Sequence, residues 1–219
     1  MTFEDAGQRI ERESPHKGWY SRGYLPHIDQ PGLIQAITFR LADSLPRAKR
    51  DELEARNEAP DAARARLHAA LDRGLGSCVL WDARAASAVE ESLLYHDGEH
   101  YHLLAWVVMP NHVHVLAETI HGVPLPRIVR QWKTYTARTI NAIYGRSGPL
   151  WQSDYYDRFI RDQRHLGRAT LYIHANPVMA GLVDEPALWP HSSARFVEAL
   201  DATYHVPYEQ SAGSAADCD

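Results

Sequence analysis

At 219 residues, with 45% hydrophobic and 23% charged residues, the chain has the composition of a soluble globular protein and the length of one domain with room for an insertion. No run approaches the ~20 apolar residues of a membrane span, and the polar start MTFEDAGQRIERESPHKG has no apolar secretion segment, so no membrane partner and a cytoplasmic location are expected. A formal net charge of -5 excludes a protein that coats nucleic acid indiscriminately, and the wide separation of Cys78 and Cys218 excludes a disulfide framework and a CxxC metal site.

Residues 1–31 are punctuated by Gly and Pro, contain RGYLPHIDQPG, and read as an N-terminal arm rather than a periodic element. Residues 32–200 are expected to form the main domain and 201–219 a flexible tail. The segment GLIQAITFRLA alternates and is β-branched, which predicts a half-buried first strand. A charged insertion at about 44–73, broken by Pro46 and Pro60, predicts two exposed helices. The second has an apolar stripe of Leu67, Ala70 and Leu71, with Gly74 as its C-cap.

After the short apolar run CVLWD, ARAASAVEESLLYHDG predicts a helix ending at Gly98. YHLLAWVVM and HVHVLAET, parted by Pro110 and Asn111, predict a tight hairpin. PLPRIVRQWKTYTARTINAIYG predicts a long amphipathic helix with Ile128, Trp132, Tyr135 and Ile143 near one face. LWQSDYYDRFIR reads as an edge strand or two short strands, and DQRHLGRATLYIHANP as a helix halted by Pro177. This order of elements predicts an α+β fold, a mainly antiparallel sheet with helices packed on it. No internal repeat, phosphate loop or GxGxxG fingerprint occurs.

Strand alternation sends His112 and His114 to one side of the second hairpin strand and Val113 and Val115 to the other. Two adjacent imidazoles can chelate a divalent ion, or they can form a half-exposed polar strand face; thirteen histidines make a chance pair plausible. Tyr172 and Asn176 stand four residues apart on the predicted last helix and so share a face. Tyr172 reads either as a core aromatic or as a nucleophile beside that site, and Asn176 either as a helix cap or as a hard oxygen ligand. From Arg127 to Arg168 nine positive residues face three aspartates, which suits either a polyanion footprint or an ordinary solvated helix surface.

The segments RGYLPH, AWVVMPNHVHVL, GPLWQSDYYDRFIRD, TLYIHANPVMAGLV and WPHSS, in this order over roughly residues 18 to 196, resemble the REP-associated tyrosine transposases, single-tyrosine HUH transposases. The resemblance implies a ferredoxin-like (RRM-like) sheet carrying the histidines centrally, with the charged insertion as an addition to the minimal pattern. It implies Mg²⁺ or Mn²⁺ held by His112 and His114, with Asn176 completing the metal site where some relatives carry Gln or His. Tyr172 would be the nucleophile, with Tyr155 and Tyr156 the next candidates, and the product a 5′-phosphotyrosine formed without a nucleotide cofactor. The implied partner is single-stranded DNA folded as a short palindromic hairpin of REP type, with the RGYLPH arm a candidate for reading it.

Arg130, Lys133, Arg158 and Arg161 are expected to contact phosphates, and Trp151 and Tyr155 to stack on bases. The resemblance covers monomers and homodimers, and a DNA transposase would be nucleoid-associated. Two other activities fit the same residues: a domesticated DNA-binding protein that no longer cuts, and a metal-dependent phosphodiesterase that activates water.

Overall fold

Alternating apolar and polar side chains generate the central sheet, and the periods of the intervening segments generate the helices that cover it. The structure is a computed structural model that describes residues 15–21, 26–46 and 60–197. In chain order the elements are β1 (Gly18–Ser21), β2 (Pro26–Asp29), β3 (Ile34–Arg40), α1 (Pro60–Leu71), α2 (Ala83–Leu94), β4 (Tyr101–Val108), β5 (His112–Thr119), α3 (Leu125–Ile143), β6 (Tyr156–Phe159) and α4 (Gln163–Met179). Short 3₁₀ turns lie at Val79–Trp81, Pro186–Leu188 and Ser193–Phe196.

β3, α2, β4, β5, α3 and β6 make a βαββαβ unit whose sheet has the order β4-β5-β3-β6, every pairing antiparallel. This is the ferredoxin-like arrangement that the resemblance implied, and it puts β3 and β5 at the centre. Ile37 and Phe39 of β3 and Val113 and Val115 of β5 face one side, where they join Val89 of α2 and Ile128, Trp132 and Ile140 of α3 in the main core. Each such large apolar side chain, once buried, contributes roughly 1.5–3 kcal/mol.

The opposite face carries Val107 and Leu116, packed against Ile173 of α4 and Trp189. His112 and His114 point to that side by the strand alternation. A third, small cluster joins Leu67, Ala70 and Leu71 of α1 to Leu45, with Tyr156 packed against it. The stripe expected on the second helix of the insertion is therefore its buried face. Gly74 has φ +64 and donates its N–H to Leu71 O at 3.0 Å, the left-handed stop expected there. The first insertion helix, the Arg22–Leu25 portion of the RGYLPH arm and the tail at 201–219 lie outside the described residues.

Several expectations need correction. The arm at 1–31 contains a two-stranded antiparallel sheet, β1 with β2, in the register Gly18↔Asp29 to Ser21↔Pro26. Four-residue strands are too short to show a period, and their anchors are distant in sequence. Asp29 accepts hydrogen bonds from Lys17 N at 2.9 Å and from Leu125 N at 3.0 Å, and His16 Nδ1 lies 2.9 Å from it. α2 ends at Leu94, short of Gly98, and residues up to Gly98 belong to the turn into β4. In α3 the buried stripe runs through Ile128, Val129, Trp132, Thr136 and Ile140, leaving Tyr135 51% exposed.

Pro177 does not halt α4, which continues to Met179. A proline removes one N–H and crowds the carbonyl four residues back, and so close to a helix end the remaining turn tolerates it. Asn176 is consequently a buried residue inside the helix rather than its cap.

Candidate active site

The hairpin turn between β4 and β5 fixes the two histidines. Met109 N donates to His112 O at 2.9 Å, and Asn111 is buried in the turn. Its amide Nδ2 donates to Leu71 O at 3.1 Å and to Leu75 O at 3.0 Å, which leaves Oδ1 to accept from His112 Nδ1 at 2.7 Å. His112 therefore carries its proton on Nδ1 and presents the Nε2 lone pair to the site. His114 Nδ1 lies 2.8 Å from the Thr38 hydroxyl, and the two Nε2 atoms meet at 3.0 Å.

Both rings are buried. Burial pushes the His112 imidazole down to about 3, with the nearby His68 adding to the effect. Burial, then the charges of His112 and His68, holds His114 well below its ordinary value. Both rings are thus neutral at physiological pH, as metal ligation requires.

α4 brings in the other two predicted residues. Asn176 is fully buried with its Nδ2 at 3.4 Å from His114 Nε2, and its Oδ1 has no hydrogen-bond partner among the described residues. Tyr172, one turn earlier, sets its ring edge-on to His114 at 5.5 Å between centroids. Two ring nitrogens and an orphaned amide oxygen in one place fit a divalent cation.

The sequence reading missed two residues of this site, both supplied by the insertion. His68 of α1 places Nδ1 at 2.9 Å from the Tyr172 hydroxyl and stacks on its ring at 5.6 Å. Asp72, just beyond α1, places Oδ1 at 3.6 Å from His112 Nε2, and burial raises its carboxyl to about 6. The available signal was the spacing of His68 and Asp72, four residues apart and so on one helix face.

The expected DNA contacts divide. Arg130 on α3 and Arg161 before α4 are exposed, and Arg158 lies half-buried on β6. Lys133 donates to the carbonyls of Gln152 at 2.6 Å and Ser153 at 2.8 Å, so its ammonium clamps the segment leading into β6. Trp151 and Tyr155 are core residues, 6% and 2% exposed, and cannot offer a ring face to a base without unpacking. Trp151 sits edge-on to Phe39 and donates Nε1–H to Thr136, while Tyr155 packs on His27 and shares a hydrogen bond with Tyr20. In the turn into β4, His96, Glu99 and His100 form a separate group of possible ligands, within 4.8 Å of one another.

Residues 88–176 match the family described as Transposase IS200 like, a span that takes in His112, His114, Tyr172 and Asn176 and leaves out α1. A Haemophilus influenzae protein provisionally named a REP-associated tyrosine transposase is 29% identical over 113 residues, which is 43% of this chain and 61% of that protein. Among solved structures, a REP-associated tyrosine transposase bound to a REP hairpin aligns with 17% identity and TM-score 0.46, over 78% of this chain and 81% of that one. A transposase of provisional assignment from Deinococcus radiodurans aligns with 16% identity and TM-score 0.31, over 72% of this chain and 96% of that one. Over residues 88–176, then, the chain is similar to the family described as Transposase IS200 like, and it spans about three fifths of the length of the REP-associated tyrosine transposase it matches.

Proposed function

We propose that this chain cleaves and rejoins single-stranded DNA at palindromic, REP-like hairpins by way of a 5′-phosphotyrosine. The observation that carries this reading is the convergence of Tyr172 and Asn176 from α4 on the His112–His114 pair of β5. His112, His114 and Asn176 would hold the divalent ion, Mg²⁺ or Mn²⁺. When bound, that ion supplies Lewis-acid polarisation of the scissile phosphate.

The protein's own residues account for the remaining chemistry. A tyrosine hydroxyl with an ordinary pKa of ~10 needs a proton acceptor to attack near neutral pH, and His68 Nδ1 stands 2.9 Å from it. Tyr172 Oη forms the new bond to phosphorus as the bond to the 3′ oxygen breaks, and that oxygen leaves as a 3′-hydroxyl after taking a proton. The phosphotyrosine conserves the phosphodiester, so a second 3′-hydroxyl can displace the tyrosine and no nucleotide cofactor is required. Burial of the site behind α1 and α4 keeps competing water from the ester.

The strand would run past Arg130, Arg158 and Arg161, whose exposed or half-exposed positions leave them able to meet phosphates. Among the described residues no helix is long and apolar enough to cross a membrane. The protein would act on the nucleoid, as a monomer or homodimer.

The test is incubation of the purified chain with a labelled single-stranded REP-like hairpin and Mn²⁺, followed by denaturing electrophoresis. A protein–DNA adduct that Tyr172→Phe abolishes while DNA binding persists supports the reading. Binding without an adduct would favour the domesticated DNA-binding protein. Cleavage without an adduct would favour hydrolysis by activated water.

A further inference from the structure

We propose that His96, Glu99 and His100, in the turn that leads from α2 into β4, form a zinc site separate from the His112–His114 pair. Tyr101 pairs with Thr119 at one end of the β4–β5 hairpin and Val108 with Val113 at the other, beside His112. The two sites therefore lie at opposite ends of the hairpin, and this one does not rest on the transposition reading.

Three observations carry it. First, each of the three residues brings one ligand atom, two imidazole nitrogens and a carboxylate oxygen in all, and these atoms lie within 4.8 Å of one another. Such a donor set is what Zn²⁺ takes in sites with three protein ligands, where water fills the remaining tetrahedral position. Second, His100 Nδ1 is buried and has no hydrogen-bond partner among the described residues, while Gln131 of α3 hydrogen-bonds to the same ring. A ligand histidine is commonly held in this way, by a neighbouring group that fixes the ring and leaves one nitrogen for the metal. Third, the turn is closed by its own hydrogen bonds. His96 O accepts from Glu99 N at 3.1 Å and from His100 N at 3.0 Å, Gly98 N donates to Tyr101 O at 2.8 Å, and Asp97 Oδ1 accepts from Leu103 N at 2.7 Å. Gly98 has φ +80, the left-handed conformation that this tight return requires. Side chains carried on a backbone already fixed lose less freedom when they bind.

The local charges suit a cation. His96 Nδ1 and Glu99 Oε2 lie 3.2 Å apart, a contact in which a divalent ion can replace the proton. The His96 and His100 rings stack at 3.9 Å. Burial, then the charges of His96 and Arg127, holds the His100 ring below its ordinary value, in the neutral form that ligation needs. Arg127 opposes the ion and the Glu99 carboxylate offsets it. His100 O also accepts from Ile120 N at 3.2 Å, so zinc bound here would fasten the turn between α2 and β4 where it meets the end of β5 and the start of α3.

The experiment is equilibrium dialysis of the DNA-free, full-length protein against Zn²⁺ at neutral pH, with bound zinc counted per chain and thermal unfolding followed with and without the ion. Glu99→Gln and His96→Gln are each expected to weaken one zinc by about tenfold or more and to lose the part of the zinc-dependent rise in melting temperature that this ion supplies. Glu99 is 73% exposed, so the metal-free melting temperature of Glu99→Gln should match the parent's. Asp184→Asn, an exposed acid away from the turn, should bind as the parent does. The proposal is overturned if the parent binds no zinc, or if either Glu99→Gln or His96→Gln binds as many zinc ions as tightly as the parent. In that last case any zinc bound belongs to other residues, the His112–His114 pair among them.

Discussion

The hydroxyl of Tyr172 and Nδ1 of His68 lie 2.9 Å apart although 104 residues separate them in the chain. The two rings stack at 21°, and the His68 ring meets His114 edge-on at 4.9 Å. The tyrosine is thus held by a residue of α1, outside the segment shared with the IS200-like family. His68→Phe preserves the stacked ring and removes the hydrogen bond. Single-turnover adduct formation at saturating hairpin should slow about tenfold, the worth of one lost hydrogen bond, with the DNA dissociation constant unchanged. An unchanged rate would deny His68 a part in the reaction.

Trp151 is a core residue, and its variants should behave accordingly. Trp151→Ala removes the ring packed on Phe39 and Thr136 and should cost on the order of 3–5 kcal/mol in urea unfolding. Tyr155→Phe, which loses the 3.0 Å bond to Tyr20 and keeps the ring, should form adduct at the parent rate. Loss of adduct in that variant would move the nucleophile away from Tyr172.

His27 makes the attachment of the β1–β2 hairpin sensitive to alkali. Burial alone would lower its pKa, but hydrogen bonds and charge from Asp154 and Asp157 raise it from 6.5 to about 9. The ring contacts Asp157 through Nδ1 and lies 3.2 Å from Asp154 through Nε2. Because the folded pKa exceeds the unfolded one, the stabilisation is complete below pH 6.5 and is lost as pH rises through 9. Its size is on the order of 3 kcal/mol. The melting temperature should fall between pH 7 and about 9.5 in the parent and stay nearly flat over that window in His27→Gln, apart from changes common to both proteins.

Arg158, Arg161 and Arg168 surround His165, whose pKa is lowered by burial and then by these three charges. Such a local concentration of positive charge in a chain of net charge -5 should act on phosphates. Arg158→Ala and Arg161→Ala should each weaken hairpin binding and reduce the slope of log K against log salt by about 0.7, the single-strand value per phosphate contact. Slopes equal to the parent's would remove both residues from the interface.

Local patterns in the sequence were enough to determine an α+β fold with an antiparallel sheet and the faces on which His112, His114, Tyr172 and Asn176 lie. Alternation in HVHVLAET fixed which face carries His112 and His114, and the four-residue spacing fixed that Tyr172 and Asn176 share a side of α4, because both follow from the period of a strand or helix. The succession of those elements predicted an antiparallel α+β sheet, and the ferredoxin-like order was what the resemblance implied. The tertiary structure alone decided what lies across from them. Trp151 and Tyr155 read as aromatics in a basic stretch, yet the packing of Phe39, Thr136, His27 and Tyr20 around them makes them core, and partners that far away in the chain leave no local mark. Likewise the insertion reads as a charged, exposed decoration; only the docking of α1 through Leu67, Ala70 and Leu71 brings His68 to Tyr172 and Asp72 to His112. Periodicity reports which face of an element is buried, and it is silent on which other element buries it.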